Sequence, residues 1–315
     1  MGGKTAPPPP PPRVTDAALP LLADLQRLFP NAKGREPLSR HTTWGIGGPA
    51  DYYVEVENRD ALDRLVTWAG DHGIPLWPIG QGSNLLVGDR GIRGIVTRLR
   101  GDFETFRFED GARVNAGAGV LLPQLSRACA ERGLSGAEPF AGIPGTLGGG
   151  LMTNAGTPEG DLGSLVEEVL TLDAEGRERL LTGKDLRFGY RRSNLTDHWV
   201  LSARLKLRPG DRNDILASVE KQRMRRAERQ PLGTKNCGSV FKNPPGDHAA
   251  RLIEAAGLKG TRVGDARISP KHANFIENVG HASAADVHAL LALVQKTVRE
   301  KSGVDLELEV WPVGD

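Results

Sequence analysis

The sequence predicts an α+β fold, and three features of its patterning predict it. Short segments of alternating hydrophobicity interleave with segments of helical spacing through the first two-thirds of the chain. Glycine is gathered into two clusters, and a basic helix and a long apolar-striped helix dominate the last third. At 315 residues the chain has room for two or three domains and a buried core.

Residues 51–57 (DYYVEVE) alternate as a strand, and residues 59–72 carry helical spacing through Leu62, Leu65, Val66 and Ala69 before Gly73. Residues 74–79 and 92–99 read as short strands. Pro123 starts a helix bearing Leu125, Ala128 and Cys129 that ends at Gly133. Residues 165–181 form a hairpin turning at 173–176, and residues 199–207 form another strand. After Pro209-Gly210 comes a basic helix over 214–230. Ser283 and Asp286 then open a helix striped by Val287, Leu290, Leu291, Val294 and Val298. A final strand over 304–310 places Val304, Leu306, Leu308 and Val310 on one face and Asp305, Glu307 and Glu309 on the other.

Composition narrows the partners. The 41 Lys and Arg nearly balance 39 Asp and Glu, so no bulk charge calls for nucleic acid or an anionic membrane. The expectation is no nucleic acid, no membrane and no protein partner. Cys129 and Cys237 are too few for a disulfide framework, which suits a reducing cytoplasm. No apolar run reaches the roughly 20 residues of a membrane span. The start, MGGKTAPPPPPPR, lacks a secretory apolar region and reads as a disordered polyproline arm over 1–16. No His, Cys, Asp and Glu cluster has metal-ligand spacing, so no metal is expected.

The 40 glycines are nearly twice the usual share of about 7%. Segment 78–87 (PIGQGSNLLV) is a strand–loop–strand in which Gly80 and Gly82 let backbone N–H groups face a phosphate. Ser83 and Asn84 add side-chain donors there, with Leu85 following. It lacks the third glycine and the helix of a Rossmann fingerprint. Segment 141–150 (AGIPGTLGGG), continued by MTNAG at 152–156, repeats the device. Gly142, Ile143, Pro144, Gly145, Thr146, Gly149, Asn154 and Gly156 are its candidate cofactor contacts. Two separated loops suit a dinucleotide better than a mononucleotide.

FGYRRS at 188–193 and CGSVFKNP at 237–244 complete a pattern with HTTWGIGGPAD (41–51), KHANFI (271–276) and LELEV (306–310). In this order, over residues 39–313, they resemble the UDP-N-acetylenolpyruvoylglucosamine reductase family, in its compact branch. That resemblance implies a two-subdomain FAD-binding region of the vanillyl-alcohol-oxidase type (17–100 and 101–210) and a substrate-binding domain (211–315). It also implies FAD as bound cofactor, NADPH as reductant and a small UDP-sugar as substrate. Gly150 and Thr153 depart from the family's usual alanine and methionine.

Reducing an enol ether requires a cation at the carboxylate and a proton donor beside C2. Arg191 is the expected cation, since a guanidinium is permanently charged and grips a carboxylate with two donors. The resemblance makes Ser239 the proton donor and singles out Glu309 among the three carboxylates of its face. Whether Glu309 polarises the substrate or orients the proton path stays open. Tyr190, Lys242, Asn243 and Arg229 are the expected substrate contacts, Arg229 for a diphosphate. His272 is equally readable as a structural histidine. Two other readings remain: a sugar or lactone oxidase on the same FAD-binding class, and a sugar-nucleotide-binding protein without catalysis.

Overall fold

The computed structural model describes residues 20–173 and 176–315. The proline arm at 1–16 and two residues of the expected turn at 173–176 lie outside the described residues. A four-stranded sheet comes first, in the order Lys33–Pro37, Pro49–Val56, Ile92–Leu99, Leu76–Ile79. The last three are mutually parallel, and helix Arg59–Asp71 makes one crossover. Asn58 fixes where that helix begins, because its side chain accepts from Ala61 N–H.

A five-stranded antiparallel sheet follows, ordered Glu178–Thr182, Val166–Leu172, Trp199–Lys206, Arg113–Gly117, Phe106–Glu109. One apolar core serves both sheets. Val54 and Ile95 of the first, with Leu62 of the crossover helix, join Val114, Leu172 and Leu205 of the second. A separate core gathers Phe241, Ile253, Ile268 and Ile276 under helix Ala284–Ser302. This helix starts at the expected capping box, Ser283 with Asp286, and ends at Gly303 with φ 71°. Cys129 and Cys237 are both free and sit in different cores.

The third unit is stapled to the first at three places. Trp44, 0% exposed, enters the third unit's core and donates from Nε1 to Ile276 O at 2.8 Å. Asp89 accepts the N–H groups of Ala284 and Ala285 at 2.8 and 3.0 Å, covering the start of the long helix. Strand Trp311–Val313 pairs in parallel with Leu85–Val87, directly after the first glycine loop.

One expectation needs correction. Residues 304–310 do not form a ladder strand: the segment is extended, with a single bridge from Leu308 to Phe241, and the true final strand is Trp311–Val313. The alternation was legible because Leu306 and Val310 are buried while Asp305 and Glu307 are exposed, but burial on one side needs no ladder. The basic helix, which is Arg212–Arg229, packs its buried Ile215 and Val219 against Ala130 and Ala141 of the second unit. One packing cluster thus spans the expected division at 210/211, because a polar linker signal does not say on which neighbour the next helix rests.

Candidate active site

A cleft of about 1010 Å³ runs between the units, near the upper end of the usual range for small-molecule sites. Both glycine loops line it, and they hold each other. Gly145 N–H donates to Gln81 Oε1 at 3.1 Å, and Ser83 Oγ donates to Pro144 O at 3.1 Å. A β-carbon on Gly80 would lie 2.6 Å from Thr146 Oγ1, and one on Gly82, where φ is 61°, would lie 2.3 Å from His41 O. These glycines are required by close approach within the protein itself. Among the described residues, the N–H groups of Gln81, Gly82 and Ser83 make no hydrogen bond inside the protein, so the loop presents consecutive free donors.

Gly80, Gly82, Ser83, Asn84, Leu85, Ile143, Pro144, Gly145, Thr146, Gly149 and Gly156 all line the cleft. Several side chains expected to meet a phosphate are committed elsewhere. Ser83 is spent on Pro144, Asn84 Nδ2 donates to Glu309 O at 3.0 Å, and Thr146 Oγ1 caps Gly149 N–H. Asn154 and Gly142 are not among the lining residues. Asn154 is 2% exposed, donates to Gly189 O and accepts from Gly163 N–H; it holds up the FGYRRS turn. Gly142 makes room for an arginine: its β-carbon would stand 2.4 Å from Arg226 Cδ.

That turn joins strands Phe188–Gly189 and Arg192–Ser193, with Arg191 at φ 52°. An L-residue pays on the order of 1–2 kcal/mol for this conformation. The conformation sends Arg191 inward, where Nε donates to Glu309 Oε1 at 2.6 Å and Nη2 to Gly156 O at 2.9 Å. Burial pushes the Glu309 carboxyl above its ordinary range, opposed by Arg191 and Lys242. Ser239 follows Gly238 (φ 83°) and lines the same cleft. Among the described residues its hydroxyl has no side-chain partner. Arg191, Ser239 and Glu309 thus converge from three distant parts of the sequence.

The expected substrate contacts fare differently. Tyr190, Lys242 and Asn243 lie beside the cleft without lining it. Tyr190 is 55% exposed and its hydroxyl accepts Asn243 N–H, while Lys242 pairs with Glu307. Arg229 is exposed on the basic helix and does not reach the cleft; Arg226, one turn earlier, does. His272 is structural: it sits edge-on to Phe275, and burial lowers its affinity for a proton.

The sequence matches the FAD binding domain family over residues 50–181 and the UDP-N-acetylenolpyruvoylglucosamine reductase C-terminal domain over residues 230–313. The reductase of Moorella thermoacetica is 48% identical over 89% of this chain and 93% of its own length. The chain belongs to the UDP-N-acetylenolpyruvoylglucosamine reductase family. Reductase 2 of Symbiobacterium thermophilum is also 48% identical, covering 87% of this chain and 90% of the relative. The crystal structure of the reductase from Thermus caldophilus superposes with a TM-score of 0.78 at 40% identity, covering 90% of this chain and 99% of that one.

FAD is the cofactor of this reductase family, and the cleft fits it by a test internal to the protein. Among the described residues, Arg226 Nε, Gln230 Oε1 and His198 Nδ1 are buried without a hydrogen-bond partner, and all three residues line the cleft. Buried polar atoms are normally satisfied, so a bound polar group is the expected complement. Of these residues Arg226 and Gln230 had a signal in the sequence. Positions 215, 219, 222, 226 and 230 form one helical stripe, and all five are buried or half-buried. His198 had no such signal.

Proposed function

We propose that this chain reduces the enolpyruvyl ether of UDP-N-acetylglucosamine enolpyruvate to UDP-N-acetylmuramate, for peptidoglycan precursor synthesis, with Arg191, Ser239 and Glu309 as the reacting set. The observation that carries this reading is the Arg191–Glu309 contact, which spans 118 residues of sequence and stands with Ser239 in a cleft floored by both glycine loops. Held in the cleft lined by both glycine loops, FAD would supply the hydride chemistry for reduction of the enol ether, with NADPH as reductant.

Everything else falls to the protein. Arg191 holds the substrate carboxylate as negative charge spreads into it from C2. The guanidinium is already fixed by Glu309 and Gly156, so little reorganisation is needed when the charge develops. Ser239 Oγ–H gives its proton to C2, a poor acid matched to a strongly basic carbon. Glu309, desolvated and raised in proton affinity, orients Arg191 and steadies the proton path toward the serine. Tyr190, Lys242 and Asn243 guide the nucleotide portion from beside the cleft. A cytoplasmic setting suits a UDP-sugar substrate and two unpaired buried cysteines.

The test is an anaerobic visible spectrum of the FAD-loaded protein, reduced with NADPH and then mixed with UDP-N-acetylglucosamine enolpyruvate. Bleaching followed by return of the flavin band, with formation of the lactyl ether, is the expected result. Return only on admitting air would instead mark an oxidase.

A further inference from the structure

Ser239 stands just before a buried stretch of backbone that is held differently on its two sides. On one side it meets the end of the chain: Lys242 N–H donates to Glu307 O at 2.8 Å, and Glu309 N–H donates to Val240 O at 2.9 Å. On the other side, among the described residues, no strand lies alongside. A single residue takes that place. Asn274 Oδ1 accepts Phe241 N–H at 3.0 Å, and Asn274 Nδ2 donates to Phe241 O at 2.8 Å. The Asn274 carbonyl also accepts Val240 N–H at 3.0 Å.

A carboxamide is a side-chain copy of a peptide group, with an acceptor and a donor side by side. Here it stands in for a missing neighbour strand. Phe241 is 0% exposed and Asn274 is 3% exposed, so water cannot replace either bond. Buried backbone groups need partners, and among the described residues the two of Phe241 have none besides Asn274.

The consequence reaches the cleft. The peptide joining Ser239 to Val240 is pinned at its N–H by Asn274, and the next peptide is pinned at Val240 O by Glu309 N–H. On the near side of Ser239, Gly238 N–H donates to Asn236 Oδ1 at 3.0 Å. One continuous run of hydrogen bonds therefore joins Asn274, the segment carrying Ser239, and Glu309.

We propose that Asn274 is a positioning residue for proton transfer: acting through Phe241 and Val240, its amide sets Ser239 in register with Glu309. The proposal rests on the reading above, in which Ser239 gives the proton to C2.

The experiment uses the full-length, FAD-loaded protein and compares Asn274→Ala and Asn274→Asp, each alone and combined with Ser239→Ala. Asn278→Ala is the control. Asn278 is a buried asparagine of the same core, but its amide serves Trp44 O, Gly280 N–H and Ala282 N–H, away from the serine. Stopped flow reads flavin reduction by NADPH and reoxidation by the enolpyruvyl substrate separately. The flavin band of the oxidised protein reads substrate affinity, and hydrogen exchange of the Val240 and Phe241 amides is followed without FAD.

In Asn274→Ala, reduction by NADPH and substrate affinity stay at wild-type values, while reoxidation slows by about 10- to 100-fold. The two amides exchange faster. Adding Asn274→Ala to Ser239→Ala slows reoxidation no further, because residues that act through one group do not add. Asn274→Asp keeps the size and the acceptor, loses the donor and slows the same step; it carries the test if the alanine variant does not fold. Asn278→Ala melts at a lower temperature but is reoxidised at the wild-type rate.

Reoxidation at the wild-type rate in both Asn274 variants would overturn the proposal, as would losses that multiply with that of Ser239→Ala. Full reoxidation in Ser239→Ala alone would instead sink the functional reading on which the proposal rests.

Discussion

Gly149→Ala separates what the fold needs from what a ligand needs, because the two effects carry opposite signs. Gly149 lies in helix Leu147–Met152, exposed on the cleft side, and a β-carbon there would meet only Thr146 Oγ1, at 3.6 Å. That is ordinary contact, so the protein itself has room. In a helix, alanine is favoured over glycine by up to about 1 kcal/mol. In a chain of this size that raises the melting temperature of the FAD-free protein by about 2 °C. The same methyl projects into the cleft. If the cofactor backbone lies against Gly149, overpacking costs about 1–3 kcal/mol. At 1.4 kcal/mol per tenfold, FAD affinity falls by roughly five- to 150-fold. The assay is thermal unfolding without and with FAD, alongside a fluorescence titration of apoprotein with FAD. A variant that is stabilised when empty and still binds FAD within twofold of wild type would refute the assignment of Gly149 to the cofactor cradle.

Further predictions follow from other contacts. Ser239→Ala leaves flavin reduction by NADPH at its normal rate in stopped flow but slows reoxidation by the enolpyruvyl substrate by about 10²–10⁴; undiminished reoxidation would remove Ser239 as the proton donor. Asp89→Ala strips two N–H groups of the long helix of their acceptor and lowers stability by about 1–2 kcal/mol, measured by urea unfolding. An unchanged midpoint would mean that this staple contributes nothing. His272 has a folded pKa below its ordinary 6.5, with burial the main cause. Its contribution is fully present above that value and is lost as pH falls through the lower, folded pKa. His272→Gln should flatten the acid side of a plot of stability against pH, and an unaltered slope would assign that loss to other groups.

The elements that sequence reading located best were those with local causes. Asn58, Ser283 and Gly303 mark helix ends through hydrogen bonds and φ values that depend only on near neighbours. Motif resemblance singled out Arg191, Ser239 and Glu309, and the three do share one cleft. What stayed hidden depends on contacts distant in sequence. Ser83 and Asn84 look like phosphate donors until their partners are seen to be Pro144 and Glu309. Arg229 and Arg226 differ by three positions on a helix rich in arginine, and only the packing of Ile215 and Val219 on the second unit decides which faces inward. Gly150 shows the same limit for a departure from family pattern: the methyls of Leu162 and Leu122 come within 2.8 and 3.0 Å of where its β-carbon would be. Neighbouring side chains thus occupy the volume of an alanine methyl.

The parallel pairing of Trp311–Val313 with Leu85–Val87 sets a timetable for making the enzyme. The first glycine loop leaves the ribosome more than 200 residues before the strand that flanks it. During synthesis, the segment Leu85–Val87 after the loop has no strand partner until Glu309 and the segment after it arrive. Asn84 then donates from its side chain to the Glu309 carbonyl and accepts the Trp311 N–H at its own carbonyl, so the loop and the Glu309 segment lock together in the same event. A nascent chain halted before residue 309 can possess every glycine of the loops and still have no finished site.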